Sequence, residues 1–370
     1  MNEKLIRQCI NNIPPYIPGK PIEEVERELG LTGVMKMASN ENPLGPSIEV
    51  RQAIVKNIDR IALYPDANAF YLKEALASEL GVATENLLIG NGLDDVNRIL
   101  GEAFLEPGDE VIIPWPTFSQ YETVTRLMGA TPVFVRGKGL DHDLVAMRQA
   151  ITCRTKLIYL CNPNNPTGAI IKDGPLRQFI QDLPQDILLV IDEAYADFAD
   201  DPDFPKSFPL ARGLWEMEHQ NILIFHTFSK IHALAGLRLG YAMAAPAVIA
   251  AMNRVKDPFN VNLLALTAGI AALASKKHIL LSKELVWEGR RHFYRELDAL
   301  GVAYLPTQAN FILIHCGRDS KGIFEHLLQN GIIVRPTHSF GLPEHIRVTF
   351  GTTEQNARFF KVFREAIAKS

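Results

Sequence analysis

The chain has 370 residues, 47% of them hydrophobic and 22% charged, with a formal net charge of -4 and a mean hydropathy of +0.02. Its length suits one large α/β domain and a smaller companion, and its slight acidity excludes a global attraction to nucleic acid or an anionic membrane, so any anion site must be local. No run approaches the roughly 18 apolar residues of a membrane helix, no secretory leader is evident after Met1, and Cys9, Cys153, Cys161 and Cys316 lack metal-ligand spacing, so a soluble, cytoplasmic protein with reduced thiols is expected.

Residues 1–35 begin with a helix-capable stretch and continue as Pro14-Pro15-Tyr16-Ile17-Pro18-Gly19-Lys20-Pro21. So many prolines forbid a regular helix and predict an extended arm. A short helix closed by Gly30 follows. From about residue 36, apolar runs at 87–89, 111–113, 157–160, 187–191 and 222–225 alternate with helical patterns. Such alternation predicts a mostly parallel sheet covered by helices, with ligands beyond the carboxyl ends of its strands. After about residue 266 a helical stretch to Leu300 precedes strand-like runs at 310–314, 332–334 and 346–350 and a helix near 321–330. These predict a compact α+β domain whose strands pair antiparallel. The expected division is an arm over 1–35, a large domain over 36–265 and a small domain over 266–370.

The polar motifs of the large domain stand directly behind its apolar runs. Gly90-Asn91-Gly92-Leu93-Asp94-Asp95 opens a helix reaching about Phe104. The free N–H groups of such a terminus suit an anion, although Asn-Gly also marks ordinary turns. Cys161-Asn162-Pro163-Asn164-Asn165-Pro166-Thr167-Gly168 sets two Asn-Pro pairs after a strand. It either presents amides to a ring oxygen or merely ends the strand. Asp192-Glu193-Ala194-Tyr195 brings a carboxylate and a phenol to a strand end. Asp192 is suited to keep a pyridine nitrogen protonated; its ordinary alternative is a helix cap, and that of Tyr195 a core tyrosine.

Lys230, in Thr227-Phe228-Ser229-Lys230, closes the last buried run. Burial favours the neutral amine, which can condense with an aldehyde. Ser229 and Arg238 bracket it with donors for a phosphate, and a charge in the stretch Gly236-Leu237-Arg238-Leu239-Gly240 is costly unless paired. Lysine, aspartate, tyrosine and arginine at strand ends are what a pyridoxal phosphate enzyme requires.

In order and spacing, Pro163-x-Asn165-Pro166-Thr167-Gly168, Asp192-x-x-Tyr195 and Ser229-Lys230 followed by Arg238 resemble the fold-type I pyridoxal phosphate-dependent aminotransferases, over nearly the whole chain. Within them the sequence is most similar to the histidinol-phosphate aminotransferase family, through Tyr16-Ile17-Pro18-Gly19-Lys20-Pro21, Glu41-Asn42-Pro43-Leu44-Gly45-Pro46-Ser47, Tyr64-Pro65-Asp66, Val334-Arg335-Pro336 and Arg347-Val348-Thr349-Phe350-Gly351-Thr352. The resemblance implies a large domain with helices on both faces of its sheet, a smaller α+β domain, pyridoxal 5'-phosphate as cofactor and a homodimer with shared sites. It implies that Lys230 bonds to the cofactor and shuttles a proton, that Asp192 meets the pyridine nitrogen, and that Asn165 and Tyr195 meet the ring oxygen. Phe118 would stack on the ring. The amides of Leu93 and Asp94, together with Ser229, Arg238 and the partner subunit's Tyr64, would hold the phosphate. Tyr16, Asn42, Arg335 and Arg347 would face the substrate.

The sequence departs from the family where Leu93 and Asp95 replace the usual serine and glutamate, and where Phe118 replaces a tyrosine of some members. The activity implied is transamination of L-histidinol phosphate with 2-oxoglutarate. The same residues also suit an aromatic amino-acid aminotransferase, a threonine-phosphate decarboxylase or a cofactor-binding protein without catalysis.

Overall fold

In the computed structural model, which describes residues 5–15, 19–206, 213, 221–317 and 320–368, the chain enters through α1 (Ile22–Leu29), closed by Gly30 in a left-handed conformation, and β1 (Met35–Lys36). Tyr16, expected over the substrate, lies outside the described residues.

Seven strands then build one sheet: β2 (Leu87–Gly90), β3 (Glu110–Trp115), β4 (Thr131–Arg136), β5 (Thr155–Cys161), β6 (Leu188–Asp192), β7 (Ile222–Thr227) and β8 (Gly240–Met243), in the order β2-β8-β7-β6-β5-β3-β4. Only β8 runs antiparallel to its neighbours. The apolar runs are continuous because both faces are covered. One face buries Ile89, Ile158, Leu189 and Ile224 under α2 (Ile48–Asn57), α3 (Phe70–Leu80), α6 (Leu144–Gln149), α7 (Asp173–Gln181) and α9 (Leu263–Ala274). The alternate residues Leu88, Leu157, Val190 and Leu223 face α4 (Leu93–Phe104), α5 (Gln120–Leu127) and α8 (Pro246–Met252).

The sequence does not announce β4 and β8. The former is an edge strand with a largely solvent-facing pattern, and the latter is a four-residue insertion between two strands of opposite sense.

The second unit packs α10 (Lys276–Leu300), α11 (Lys321–Gln329) and α12 (Thr353–Ala368) around a core rich in phenylalanine, including Phe293, Phe311, Phe350 and Phe359. Its sheet contains β9 (Tyr304–Leu305), β10 (Phe311–His315), β12 (Arg335–Pro336) and β13 (His345–Thr349), in the antiparallel order β12-β13-β10-β9. The intervening β11 (Ile332–Ile333) instead pairs parallel with β1. This ties the entering segment to the small unit, where Val25, Val34, Ala38 and Ile333 share a cluster. The change of texture near residue 266 falls inside α9, whose Ala265, Leu266, Ala268 and Ala272 still pack in the large core. The chain leaves that core at Ser275, between α9 and α10.

Candidate active site

Five strand ends converge on one cavity of about 410 Å³ between the large sheet and the small unit. Strand β7 delivers Ser229 and Lys230 just past Thr227, and β6 delivers Asp192 as its last residue. Lys230 Nζ donates to the Ser39 carbonyl at 3.1 Å. Burial, then the Arg347 guanidinium, push its pKa down from the ordinary lysine value to about 8. The neutral amine is therefore far more populated near neutral pH than it is in an ordinary lysine.

Asp192 is buried, and both its oxygens are engaged. Tyr121 donates its hydroxyl to Oδ2 at 2.6 Å, and the Ala194 amide donates to Oδ1 at 3.0 Å. Burial raises its pKa against the opposing pull of the Tyr121 hydrogen bond. A carboxylate held this way gains strongly from a cationic N–H placed against it.

At the other end, α4 starts at Leu93 behind Gly92, which has φ 83 and caps with no side chain. A Cβ on Gly92 would stand 2.7 Å from Arg238 Nη2, and one on Gly240 would stand 3.0 Å from the Leu93 amide nitrogen. Both glycines keep open a cradle of amides beside a guanidinium. Arg238 Nη2 approaches Asp94 Oδ2 at 3.4 Å, and Ser229 lines the same cavity.

The loop after β5 divides its labour. Asn162 exchanges hydrogen bonds with the Ile171 backbone, and Asn164 donates to the Pro116 carbonyl and accepts from Thr117, so both hold the loop. Asn165 lines the cavity, and its Oδ1 accepts from Arg347 Nη1, which leaves its amide nitrogen as a donor. Phe118 lines the cavity and meets Tyr121 edge-on, with centroids 5.6 Å apart.

From the small unit come Arg335 and Arg347, both buried. They are directly opposite one another on β12 and β13. Arg347 also donates to the Ala38 carbonyl at 2.7 Å and lies over the rings of Phe311 and Phe340.

Residues 32–363 match the family model of class I and II aminotransferases. The chain belongs to the class I and II aminotransferase family. The aminotransferase is 49% identical to the histidinol-phosphate aminotransferase of Moorella thermoacetica, over 98% of this chain and 93% of the relative. It is 43% identical to that of Caldicellulosiruptor saccharolyticus, over 98% and 100%. The fold matches a crystal structure of histidinol-phosphate aminotransferase from Sinorhizobium meliloti in complex with pyridoxal-5'-phosphate, with a TM-score of 0.87 at 26% identity over 98% of each chain.

The aminotransferase uses pyridoxal 5'-phosphate, and the donor set fits that molecule. An amine whose pKa burial lowers, a carboxylate for a ring nitrogen and an amide-guanidinium cradle for a phosphate line one cavity.

Two expected site residues do not line that cavity. Asn42 spends its amide on the Ile231 carbonyl and Ser282 Oγ, while its Oδ1 accepts from the Leu44 amide. It braces a turn. Asn42 thus stands behind the cavity wall, whereas Asn40 lines the cavity. Asn40 takes a left-handed φ of 57, which asparagine tolerates, and donates to the Tyr195 hydroxyl at 2.9 Å. Tyr64 is 83% exposed, stacks on Phe259 and lines a separate surface cleft. Within its own subunit it is not part of the site. Sequence reasoning missed Tyr121 and Asn40, whose partners lie 71 and 155 residues away along the chain. The only sequence cue was their position beside motifs already singled out.

Proposed function

We propose that this aminotransferase moves the amino group of L-histidinol phosphate to 2-oxoglutarate, giving imidazole acetol phosphate and L-glutamate, a step of histidine biosynthesis. The observation that carries this reading is the register of β12 and β13, which sets Arg335 against Arg347. Like charges directly opposite on a sheet repel, and these two are also buried. A phosphate dianion relieves that repulsion more completely than one carboxylate does. The names of the near-full-length relatives support the same substrate.

When bound, pyridoxal 5'-phosphate supplies an aldehyde that captures amines and a protonated ring that takes up the electron pair left when the donor's Cα–H bond breaks. The chain does the rest. Lys230 Nζ would act as the general base at the donor's Cα–H and then as the general acid that delivers that proton to the carbon of the cofactor's former aldehyde. Asp192, held by Tyr121, would keep the ring nitrogen protonated. Asn165 and Tyr195 would meet the ring oxygen, and Phe118 would pack on the ring. The Leu93 and Asp94 amides, Ser229 and Arg238 would hold the phosphate.

The subunit pairs with a second copy, and the partner subunit's Tyr64 completes the phosphate site. Supporting this, Ile61, Leu63, Tyr64 and Phe259 are exposed together around one cleft, an apolar patch of the kind that marks an interface. A cytoplasmic location is supported by the four unpaired cysteines; among the described residues no single helix is long and apolar enough to cross a membrane.

A survey of amino donors tests the substrate. Histidinol phosphate is expected to give a kcat/KM far above that of phenylalanine, and Arg335→Ala to lower it by about 100-fold, the scale of losing one partner of a charge-assisted pair. Faster turnover of phenylalanine, or an unchanged Arg335→Ala enzyme, would exclude this reading in favour of an aromatic amino-acid aminotransferase.

A further inference from the structure

The cavity has charged side chains to spare. Asp94, Asp192, Lys230 and Arg238 serve the cofactor, and Arg335 and Arg347 the donor's acidic group. Of the charged groups lining it, Lys36 and Glu41 have no part in that scheme. They form an ion pair with Nζ and Oε1 2.7 Å apart, and both side chains keep partial access to solvent. Lys36 belongs to β1, which pairs with β11 just before Arg335. Glu41 follows Asn40, the partner of Tyr195. The ion pair thus stands on the small-unit side of the cavity, near the arm residue Gly19, which also lines it.

The reaction poses a recognition problem for this wall. Building on the proposed function, the two amino donors share the atoms around Cα and an acidic group for the two arginines. Their side chains differ: one ends in an imidazole with an N–H to donate, the other in a carboxylate. A purely apolar wall leaves the second unpaired, and a lone cation leaves the first without an acceptor, each at the cost of a buried unsatisfied group. An ion pair at the rim holds both functions and neutralises itself when neither is needed.

We propose that Lys36 and Glu41 form a two-way side-chain subsite, in which Glu41 accepts the imidazole N–H of histidinol phosphate and Lys36 meets the distal carboxylate of glutamate and 2-oxoglutarate. In each complex the residue not in use stays within reach of its ion-pair partner. The subsite therefore determines specificity without touching the proton-transfer chemistry.

The two half-reactions can be followed separately by rapid mixing, the aldehyde form of the holoenzyme with histidinol phosphate and the amine form with 2-oxoglutarate, each read from cofactor absorbance. Glu41→Gln is expected to raise the half-saturating concentration of histidinol phosphate by about tenfold, the effect of one hydrogen bond to a charged group. The same variant should bind 2-oxoglutarate as well as before, or better, because Lys36 is released. Lys36→Met should do the reverse, weakening 2-oxoglutarate and sparing histidinol phosphate. An unchanged absorbance band in both holoenzymes shows that the fold and the cofactor site are intact. If both substrates weaken together in either variant, or neither moves, the subsite is wrong. A wild-type enzyme whose cofactor band does not respond to histidinol phosphate overturns the proposed substrate itself, whatever the variants do.

Discussion

At the scale of single residues, the site is governed by what burial does to the Lys230 amine and by what holds the Asp192 carboxylate. The Lys230 amine titrates near 8 because it is desolvated and faces Arg347. Below that pH the protonated form dominates, so the rate at which the apoprotein captures the cofactor aldehyde should climb about tenfold per pH unit and level off above 8. Arg347→Gln removes a cation that holds the amine down, and the midpoint of that profile should move up. Stopped-flow absorbance of apoprotein mixed with cofactor across pH measures both; a flat profile, or a downward shift, contradicts the assignment. The Tyr121 hydroxyl on Asp192 should contribute less. Tyr121→Phe is expected to lower kcat by about tenfold, in keeping with a hydrogen bond to a charged acceptor. That Lys230, Asp192 and Arg238 line one cavity could be anticipated, because each stands in a short motif at a strand end. Tyr121 and Asn40 could not be, because a hydrogen bond across 71 or 155 residues leaves no local pattern.

At the scale of elements, the site depends on where two units meet. Gly168 ends the loop that carries Asn165, with φ 75, and a Cβ there would stand 2.0 Å from Thr307 Oγ1 and 3.1 Å from Thr307 Cα. Because part of that neighbour is backbone, Gly168→Ala should cost about 2 kcal/mol of stability through strain and overlap. A lowered urea midpoint would register it; an unshifted midpoint would mean that the loop can move away freely. The parallel order of the large sheet was legible from its continuous apolar runs. The Arg335–Arg347 juxtaposition was only half legible: both arginines were named, but their facing positions come from the register of β12 on β13, which depends on the turn between them. Asn42 and Asn40 were indistinguishable in the sequence, since which of them lines the cavity and which braces the turn depends on the fold around them.

For the whole molecule, the large and small units share the cavity, and a second subunit is expected to finish it. Ile61→Asp places a charge in the exposed apolar patch beside Tyr64. Sedimentation should then show dissociation of a dimer together with weaker cofactor retention, since the phosphate loses Tyr64. A variant that remains dimeric, or a monomer that retains cofactor fully, would place the interface elsewhere. The mostly parallel large sheet and the smaller α+β unit were readable from the alternating pattern followed by its loss. The change of texture does not coincide with the edge of the large core, because α9 is an apolar helix that belongs to that core although it lies beyond the last strand of that sheet.

All of these effects assume that the buried amine at the end of β7 is where the cofactor is attached. Borohydride reduction of the holoenzyme, followed by proteolysis and mass mapping, tests this directly. The pyridoxyl label is expected on the peptide containing Lys230 and nowhere else, and to be absent from Lys230→Ala. A label on another lysine, or none on the reduced wild-type protein, would contradict the account.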